Sequence, residues 1–298
     1  MRPRLLTPTP AATRSTICRS KAQPYSEAAC IEVETLHGVV SPPFVFFLLV
    51  RIDPTCNMAR KWYDATVSRV EQATEHTRRY WLTLPDGASF NYEPGQFVTL
   101  DLPIHEKRRH RLRSYSIADA PSGDGEIELC IVRLPGGKGT QYLFEEVSTG
   151  SSLRFKGPGG VFTLPKDLAT REIVMVCTGT GVAPFRSMLQ HIEQEQLACR
   201  HIHLIFGTRC HGDVLYREEF EQMAERLPFF EYSIALSRET RAGCTPGYVH
   251  GIYEARYSGP AADRHFYLCG WSRMIDEAVV RLADLGYTES QVHYERYG

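Results

Sequence analysis

An apolar run that ends in glycines and continues as a helix constrains the fold of this chain more than any other feature. Residues 172–177 read EIVMVC, residues 179–181 read GTG, and Pro184 opens a stretch with helical periodicity. Glycine permits tight turns, and proline is favoured in the first turn of a helix. Such a turn places a helix N-terminus where it can bind a dinucleotide pyrophosphate. Because Pro184 replaces the third glycine of the GxGxxG fingerprint, an ordinary tight turn is the alternative interpretation.

Before this segment, from Trp62 to about Pro165, the pattern is typical of an all-β domain. Six stretches alternate in polarity or are rich in β-branched and aromatic residues: YDATVSRV, RYWLTL, QFVTLDL, SYSIAD, EIELCIVRL and SLRFKG. Turn sequences such as PDG (85–87) and PG (94–95) separate them. Six short strands at this spacing predict a closed antiparallel barrel within residues 58–167.

From Arg171 onward, apolar runs alternate with amphipathic stretches. The runs are EIVMVC, HIHLIFG, FFEYSIAL and HFYLCG, and the amphipathic stretches lie near 184–198, 215–227 and 272–285. Alternation of strands with helices predicts a doubly wound parallel sheet, an α/β domain over residues 168–298.

The composition limits the class of function. The formal net charge is -1, which argues against a general nucleic-acid binder. The nine cysteines include no C-x-x-C pair, so we expect neither a zinc ribbon nor an iron–sulfur cluster, and no metal site. Scattered thiols favour a reducing compartment, and we expect a cytoplasmic protein.

Residues 1–57 differ from the rest of the chain. Every charged residue before Glu27 is basic, and serine, threonine and proline are common. This composition is typical of a disordered tail or of a transit peptide, which would imply import into an organelle. The run VVSPPFVFFLLV (39–50) is too short and too proline-interrupted for a membrane span. A further alternative is that the segment is not normally made and that translation starts at Met58.

Five motifs, in order, resemble those of the ferredoxin–NADP reductase family. RLRSYSIA (111–118) resembles its R-x-Y-S flavin motif, GKGT (137–140) its second flavin motif, and GTGVAPF (179–185) its nucleotide turn. YLCGWSRMIDEAV (267–279) is similar to its C-G motif and following helix, and YERY (294–297) resembles its E-x-aromatic ending. The resemblance implies an FAD-binding barrel followed by an NADP-binding α/β domain.

By this resemblance, the barrel forms the FAD site. Arg113 pairs with the pyrophosphate, Tyr115 covers the isoalloxazine, and Ser116 lies beside flavin N5, where the hydride arrives. Alternation along a strand places Arg113 and Tyr115 on one face and Ser116 on the other or at the strand's end. The other implied FAD contacts are Ile131, Val132, Arg133, Gly137, Gly139 and Thr140. Taken alone, R-x-Y-S also fits a barrel strand with a surface arginine, and GGKG also fits a flexible loop.

The resemblance also implies a nicotinamide site at the carboxyl ends of the second domain's strands. Its residues are Gly179, Thr180, Gly181 and Pro184 at the pyrophosphate, with Cys269 and Gly270 beside the nicotinamide. Ser116, Cys269, Glu295 and Tyr297 are the implied catalytic residues: Tyr297 stacks on the flavin, and Glu295 either relays protons or polarises the site. Gly298 departs by one residue from the plant-type ending. Taken alone, Cys269 is also explained as a buried packing residue, and the C-terminus as a frayed end.

A pocket for the 2'-phosphate of NADP is implied after the third strand of the second domain. Ser237 and Arg238 resemble the family's 2'-phosphate contacts, and Tyr248 is placed to stack on adenine. Arg209 and Tyr216 are further implied contacts, and Arg241 adds positive charge. Pro-Gly at 246–247 replaces the family lysine that often precedes the tyrosine. We expect NADPH, with NADH as the alternative.

The run HEKRRHRLR (105–113) is densely basic. A basic surface beside a flavin would steer an acidic ferredoxin or flavodoxin, with Lys107, Arg108, Arg109 and Arg111 as docking residues. Phosphate binding and a solvated loop are the alternatives. The predicted function is hydride transfer from NADPH to FAD, then single-electron transfer to a separate carrier. Two other functions stay open: the NADH-dependent reductase component of an oxygenase, and a flavin-binding electron-transfer subunit without nicotinamide turnover.

Overall fold

The structure is a computed structural model that describes residues 61–85 and 88–297, together with the backbone of three short strands nearer the N-terminus. Those strands are β1 (Arg14–Thr16), β2 (Ile31–Glu34) and β3 (Val50–Ile52), paired antiparallel in that order. The chain divides into two units, Met1–Ala59 and Arg60–Gly298, and everything below concerns the second. Apart from these three strands, residues 1–57 and Met58 lie outside the described residues, and the predictions for them stay predictions.

The first sheet of the larger unit is the predicted antiparallel barrel. Its strands are β4 (Trp62–Thr74), β5 (Thr77–Thr83), β6 (Phe97–Asp101), β7 (Leu112–Ser116), β8 (Glu126–Val132) and β9 (Ser152–Gly159). They are hydrogen-bonded in the order β7-β6-β9-β4-β5-β8, and an antiparallel bridge between Ile117 and Leu129 closes the sheet. All six predicted strands are therefore present. Helix α1 (Lys138–Glu145) follows β8 and begins at the GKG segment.

The second sheet is parallel, as predicted. Its strands are β10 (Glu172–Thr178), β11 (His201–Thr208), β12 (Phe230–Leu236), β13 (Thr245–Pro246), β14 (Arg264–Trp271) and β15 (Val292–Tyr297), in the order β13-β12-β11-β10-β14-β15. Its helices are α2 (Ala183–Gln194), α3 (Arg217–Arg226), α4 (Val249–Arg256) and α5 (Ser272–Asp284). Among the described residues, no helix is both long enough and apolar enough to span a membrane.

The side chains of β10 show how helices cover both faces of this sheet. Ile173, Met175 and Cys177 pack in one core with residues of α2 and α3, whereas Val174 and Val176 pack in another with residues of α4 and α5. All five side chains are fully buried, as expected of a central parallel strand. The doubly wound prediction is confirmed.

The core that contains α2 continues into the barrel. Ala118, Cys130 and Phe162 from the first half of the larger unit are buried in the same cluster as the residues of α2 and α3. The order of strands reverses between β10 and β14. Doubly wound sheets bind ligands at the carboxyl ends of strands where the order reverses, so this position is where a site is expected.

Candidate functional site

The carboxyl ends of β10 and β14 meet through glycines. A Cβ at Gly181 would lie 2.4 Å from the Cys269 carbonyl oxygen, and a Cβ at Gly270 would lie 2.4 Å from Thr178 Oγ1. Gly270 also has a φ of +137°, which residues with side chains rarely adopt. Because neither contact leaves room for a side chain, the approach of the two strands requires glycine at both positions.

The predicted nucleotide turn forms at this point. Residues Gly179–Val182 make one 3-10 turn, and α2 begins at Ala183 with Pro184 in its first turn. Gly179 has a φ of +55°, and Thr180 is buried. The segment therefore has the strand–glycine turn–helix arrangement that directs a helix N-terminus toward a phosphate.

Three of the predicted catalytic residues form a chain of hydrogen bonds. The Tyr297 hydroxyl donates to Ser116 Oγ at 2.5 Å, and Ser116 Oγ donates to Glu295 Oε1 at 2.7 Å. Ser116 is the last residue of β7, whereas Glu295 and Tyr297 lie in β15. This series of hydrogen bonds thus joins the barrel directly to the last strand of the parallel sheet.

The fourth predicted catalytic residue, Cys269, lies beside this chain on β14. It pairs with Glu295 in the β14–β15 ladder, and Tyr297 packs against the buried cluster that contains Cys269. Cys269 is fully buried, and burial raises the pKa of its thiol well above the ordinary value. A thiol that stays protonated is a poor nucleophile and a poor metal ligand, so Cys269 offers a small, soft surface instead.

Burial also changes the acid–base properties of the other members of the cluster. It raises the pKa of the Glu295 carboxyl above its usual range, and the hydrogen bond from Ser116 opposes that shift only in part. It raises the pKa of the Tyr297 phenol well above the ordinary value. Tyr297 therefore stays protonated at neutral pH, and Glu295 holds a proton at a higher pH than a free carboxyl does.

The two predicted flavin motifs lie against each other. A Cβ at Gly139 would lie 3.0 Å from Cγ of Arg113, so glycine leaves room for the arginine over the first turn of α1. The Arg113 guanidinium donates to the main-chain oxygens of His110 and Leu112, which fixes its position. Among the described residues, no side chain caps α1, so the first N–H groups of the helix lie open. A guanidinium beside open N–H groups is suited to bind a phosphate.

Thr140 uses its hydroxyl within the turn that leads into α1. The hydroxyl accepts the N–H of Leu134 at 3.0 Å and donates to the Gly137 carbonyl at 3.1 Å. Thr140 therefore closes the turn that leads into α1, and its contribution to the site is to position Gly137 and the helix start.

The residues at the end of β8 are divided between core and surface. Ile131 is 2% exposed, and its side chain packs in the barrel core. Val132 is half-buried, and Arg133 forms an ion pair with Glu145 of α1. Tyr115, on β7, is half-buried against the barrel core.

The predicted adenosine contacts lie where β11 and β12 end. The Ser237 N–H donates to the Thr208 carbonyl at 3.0 Å and the Arg238 N–H to the Arg209 carbonyl at 2.9 Å, so the two arginines are neighbours. Both are exposed, and Tyr248, which precedes α4, is 73% exposed. The structure thus brings these residues together on one open edge of the parallel sheet.

An acidic residue lies among these cations. Glu239 accepts the His211 N–H at 2.7 Å and lies 3.8 Å from the Arg241 guanidinium. The positive charge that the sequence attributed to Arg241 is therefore partly neutralised.

Tyr216 contacts residues of the barrel and of α2, and its implied contact with the dinucleotide stays a prediction. Its hydroxyl donates to Glu128 Oε1 at 2.7 Å, and the Arg186 guanidinium lies 4.4 Å from its ring centre. It therefore lies between the barrel and α2. The sequence analysis missed both charged partners, although each stands in an apolar stretch, ELCIV and APFRSML. Opposite charges in apolar surroundings are expected to pair, because an unpaired buried charge is costly.

Comparison with known proteins decides the family. The model described as "Oxidoreductase FAD-binding domain" matches residues 64–164, and that described as "Oxidoreductase NAD-binding domain" matches residues 175–279. Ferredoxin--NADP reductase B of Sorangium cellulosum (strain So ce56) is 35% identical over 244 residues, which cover 79% of this chain and 97% of that protein. The chain belongs to the ferredoxin–NADP reductase family. It is a flavoprotein electron-transfer reductase that binds FAD and a nicotinamide dinucleotide.

Other relatives of the reductase place it among flavoprotein reductases of several systems. The toluate 1,2-dioxygenase electron transfer component of Pseudomonas putida is 30% identical over 243 residues, covering 81% of this chain and 69% of that protein. The structure of Amycolatopsis cytochrome P450 reductase GcoB matches with a TM-score of 0.71 and 26% identity, covering 83% of this chain and 72% of that one. A ferredoxin NADP+ reductase from Neisseria gonorrhoeae has the same fold, with a TM-score of 0.68, 21% identity, and coverage of 79% and 98%.

The residues of the reductase fit both cofactors. A dinucleotide needs hydrogen-bond donors for its phosphates and room for close approach to the backbone. Arg113 and the open first turn of α1 supply donors on the barrel side, and glycine at 139 leaves the space. The glycine turn at 179–181 supplies the second such place at the start of α2.

Proposed function

We propose that this reductase transfers electrons from NADPH to a separate one-electron carrier of the ferredoxin or flavodoxin type. The observation that carries the proposal is the meeting of Ser116, Cys269, Glu295 and Tyr297 beside the nucleotide turn, where the strand order reverses. A nicotinamide bound at that turn would reach a flavin bound along β7. The relative named ferredoxin--NADP reductase B supports the proposed electron transfer between NADPH and a ferredoxin-type carrier.

In this proposal, each of two domains binds one of the two cofactors. Residues 58–167 hold FAD, with Arg113 and α1 at the pyrophosphate and Tyr115 and the main chain of β8 at the ring system. Residues 168–298 hold the nicotinamide dinucleotide. The Ser116–Tyr297 hydrogen bond lies between them, so the reacting groups would meet at the domain boundary.

The protein's own residues contribute position and proton control. When bound, FAD supplies a centre that accepts two electrons as a hydride and releases them singly. Ser116 holds a proton between the Tyr297 phenol and the Glu295 carboxylate, and Glu295 takes up a proton at a higher pH than a free carboxyl because burial raises its pKa. Tyr297 covers the site against water and moves aside for the nicotinamide.

For the coenzyme, we infer a preference for NADPH. Arg209 and Arg238 are exposed neighbours, and a guanidinium pair is suited to bind a 2'-phosphate. Ser237 lies next to Arg238, and Tyr248 exposes most of its ring for stacking on adenine. The Arg209–Arg238 pair is the feature that favours NADPH.

An anaerobic absorbance titration of the purified reductase with NADPH and then NADH tests both inferences. The oxidised flavin bands should bleach at a lower concentration of NADPH than of NADH. Bleaching by neither nucleotide would contradict the proposed activity and would leave a flavin-binding electron-transfer subunit.

A second candidate is an NADH-dependent reductase component of an oxygenase. The observation that favours it is Glu239, because an acidic residue among the proposed adenosine contacts can accept a hydrogen bond from the free 2'-hydroxyl of NADH. A relative that is the electron transfer component of a toluate dioxygenase supports it too. Preferential bleaching by NADH would select this candidate.

The basic turn at 107–111 is the proposed docking surface for the carrier. Arg108 and Arg111 both pair with Asp101, at 3.3 and 2.8 Å, whereas Lys107 and Arg109 are exposed. Arg108 also lies 4.5 Å from the Trp62 ring centre, with Arg154 and Lys156 at 5.5 and 5.7 Å from the same ring. These cations form one basic surface that would attract an acidic protein.

The docking surface is tested with Lys107→Gln/Arg109→Gln and a [2Fe–2S] ferredoxin as acceptor. The KM for ferredoxin should rise by about fivefold at low ionic strength and by less in high salt, because exposed charges are screened. Reduction of a small artificial acceptor should be unchanged. Arg281→Gln, which removes an exposed cation paired with Glu254 on the far helices, is the control. An equal rise in the KM for ferredoxin in the control would exclude a specific docking surface.

We also propose a reducing compartment, such as the cytoplasm. All six cysteines in the described part of the chain are free thiols, and three of them are buried. A protein that persisted in an oxidising compartment would be expected to pair some of them.

A further inference from the structure

One arginine of the nucleotide domain is buried against the barrel. Arg186 lies in α2, two residues after Pro184, and is 7% exposed. Burying a guanidinium is costly unless its donors are all used. The question is therefore what the partners of Arg186 are and what they hold in place.

The partners of Arg186 lie on both sides of the domain boundary. Its Nη1 donates to the Ala118 carbonyl at 2.9 Å and to Glu128 Oε2 at 2.9 Å, both of which belong to the barrel. Its Nε donates to Glu219 of α3 at 2.8 and 3.0 Å. Ala118 lies two residues after Ser116, and Glu128 lies on β8. One side chain of α2, the helix that follows the nucleotide turn, thus joins the segment after β7 and strand β8.

The barrel side of this connection is itself rigid. Glu128 is 1% exposed and also accepts two hydrogen bonds from Arg79, at 2.6 and 2.9 Å, and one from Tyr216 at 2.7 Å. A carboxylate with all its sites occupied cannot move without breaking several charge-assisted bonds.

Two further bonds attach α2 to the same short segment of the barrel. The Ser187 hydroxyl donates to the Asp119 carbonyl at 2.5 Å, and the Ala120 N–H donates to Gln190 Oε1 at 3.0 Å. Consecutive residues 118–120 are therefore each bonded to the first two turns of α2, directly after the nucleotide turn.

We propose that Arg186 is a positioning residue that fixes the nucleotide turn relative to Ser116 and so sets the geometry of hydride transfer. It touches neither cofactor site directly but acts through Ala118 and Glu128. Rates of such steps fall steeply when reacting atoms are displaced by an ångström, whereas binding of the distant adenosine end, at Arg238, does not depend on that geometry. The inference concerns the reductase reaction itself and does not depend on which carrier accepts the electrons.

The test is anaerobic stopped-flow reduction of the holoenzyme by NADPH, which separates the limiting rate from the apparent Kd. For Arg186→Gln we expect the limiting rate to fall by at least about tenfold, with FAD content unchanged and Kd within about threefold. Arg186→Lys keeps the charge but cannot bond to Ala118, Glu128 and Glu219 at once as the planar guanidinium does. Its limiting rate should therefore lie between those of the wild type and Arg186→Gln.

Arg226→Gln is the matched control. Arg226 also joins α3 to α2, through Glu193 at 2.8 Å, but this pair is exposed and does not touch the barrel. Its limiting rate should equal that of the wild type. The proposal would be overturned if folded Arg186→Gln had an unchanged limiting rate. It would also be overturned if only the affinity for NADPH fell, so that Kd rose while the limiting rate stayed the same.

If Arg186→Gln does not fold, Ser187→Ala/Gln190→Ala removes the bonds of α2 to Asp119 and Ala120, and also the 2.8 Å bond from Gln190 to Glu219, whose carboxylate keeps its pairing with Arg186. This variant should lower the limiting rate by about threefold at unchanged Kd, since two of the attachments of α2 are lost. A wild-type limiting rate in this variant would equally contradict a positioning role for the attachment of α2.

Discussion

Two parts of the site are built in opposite ways. At the reversal of strand order, Ser116 is buried and bonded to both Glu295 and Tyr297, and Cys269 is fully buried beside them. At the far edge of the same sheet, Arg209, Arg238 and Tyr248 are exposed and aligned by main-chain bonds. Folding therefore fixes the buried cluster where we propose the chemistry, whereas the residues that we propose for coenzyme choice are exposed side chains that can change without disturbing the core.

The largest effect is expected where the buried part depends on main-chain contact. In Gly181→Ala, the new Cβ would lie 2.4 Å from the Cys269 carbonyl, so β14 and the nucleotide turn must separate. We expect NADPH-dependent flavin reduction to fall by about a hundredfold or more, because misplacement affects binding and transfer together. Gly251→Ala is the control, since nothing lies within 4 Å of a Cβ at that helical position. Normal reduction by Gly181→Ala would show that the contact is not needed.

Ser116→Ala tests the hydrogen-bond chain with a smaller change. It removes the acceptor of the Tyr297 hydroxyl and the donor to Glu295, both partly buried. The limiting rate of flavin reduction should fall by about ten- to a hundredfold, and its pH dependence should change because Glu295 loses the bond that favours its charged form. Stopped-flow reduction over a pH series measures both. Thr99→Val on β6, which loses a hydroxyl contact with Ser114 only, should leave the rate unchanged.

The contrast between the two parts also explains what could be predicted from the sequence. All six barrel strands, the main strands of the parallel sheet and the glycine turn follow from local polarity and turn residues. The two-residue strand β13 and the last strand β15, half-exposed at the sheet edge, have no apolar run to indicate them. The pairing of Tyr216 with Glu128 could not be predicted, because the two residues lie 88 positions apart and no local pattern reports such a pairing.

At the open edge, Arg238→Gln should alter coenzyme preference without altering the chemistry. Loss of a charged hydrogen bond to a phosphate should raise the KM for NADPH by about tenfold and leave that for NADH nearly unchanged. The limiting rate at saturation should stay the same, in contrast to Ser116→Ala. Steady-state assays with both nucleotides measure this difference, and an equal rise in both KM values would mean that Arg238 does not contact the 2'-phosphate.

The smallest effect concerns stability at the buried part. Burial raises the pKa of Glu295 in the folded protein, so between the ordinary carboxyl pKa and the raised one the native state binds more protons than the unfolded state. The contribution of Glu295 to stability therefore falls as pH rises through that window. Glu295→Gln keeps an acceptor for Ser116 and does not titrate. Its melting temperature should equal that of the wild type in acid and be about 2 °C higher at neutral pH. Thermal denaturation of the holoenzyme measures both. If Glu295→Gln melted below the wild type at neutral pH, the ionised Glu295 carboxylate would be stabilised in the folded protein. The buried part of the site would then accept a charged side chain, as the open edge does.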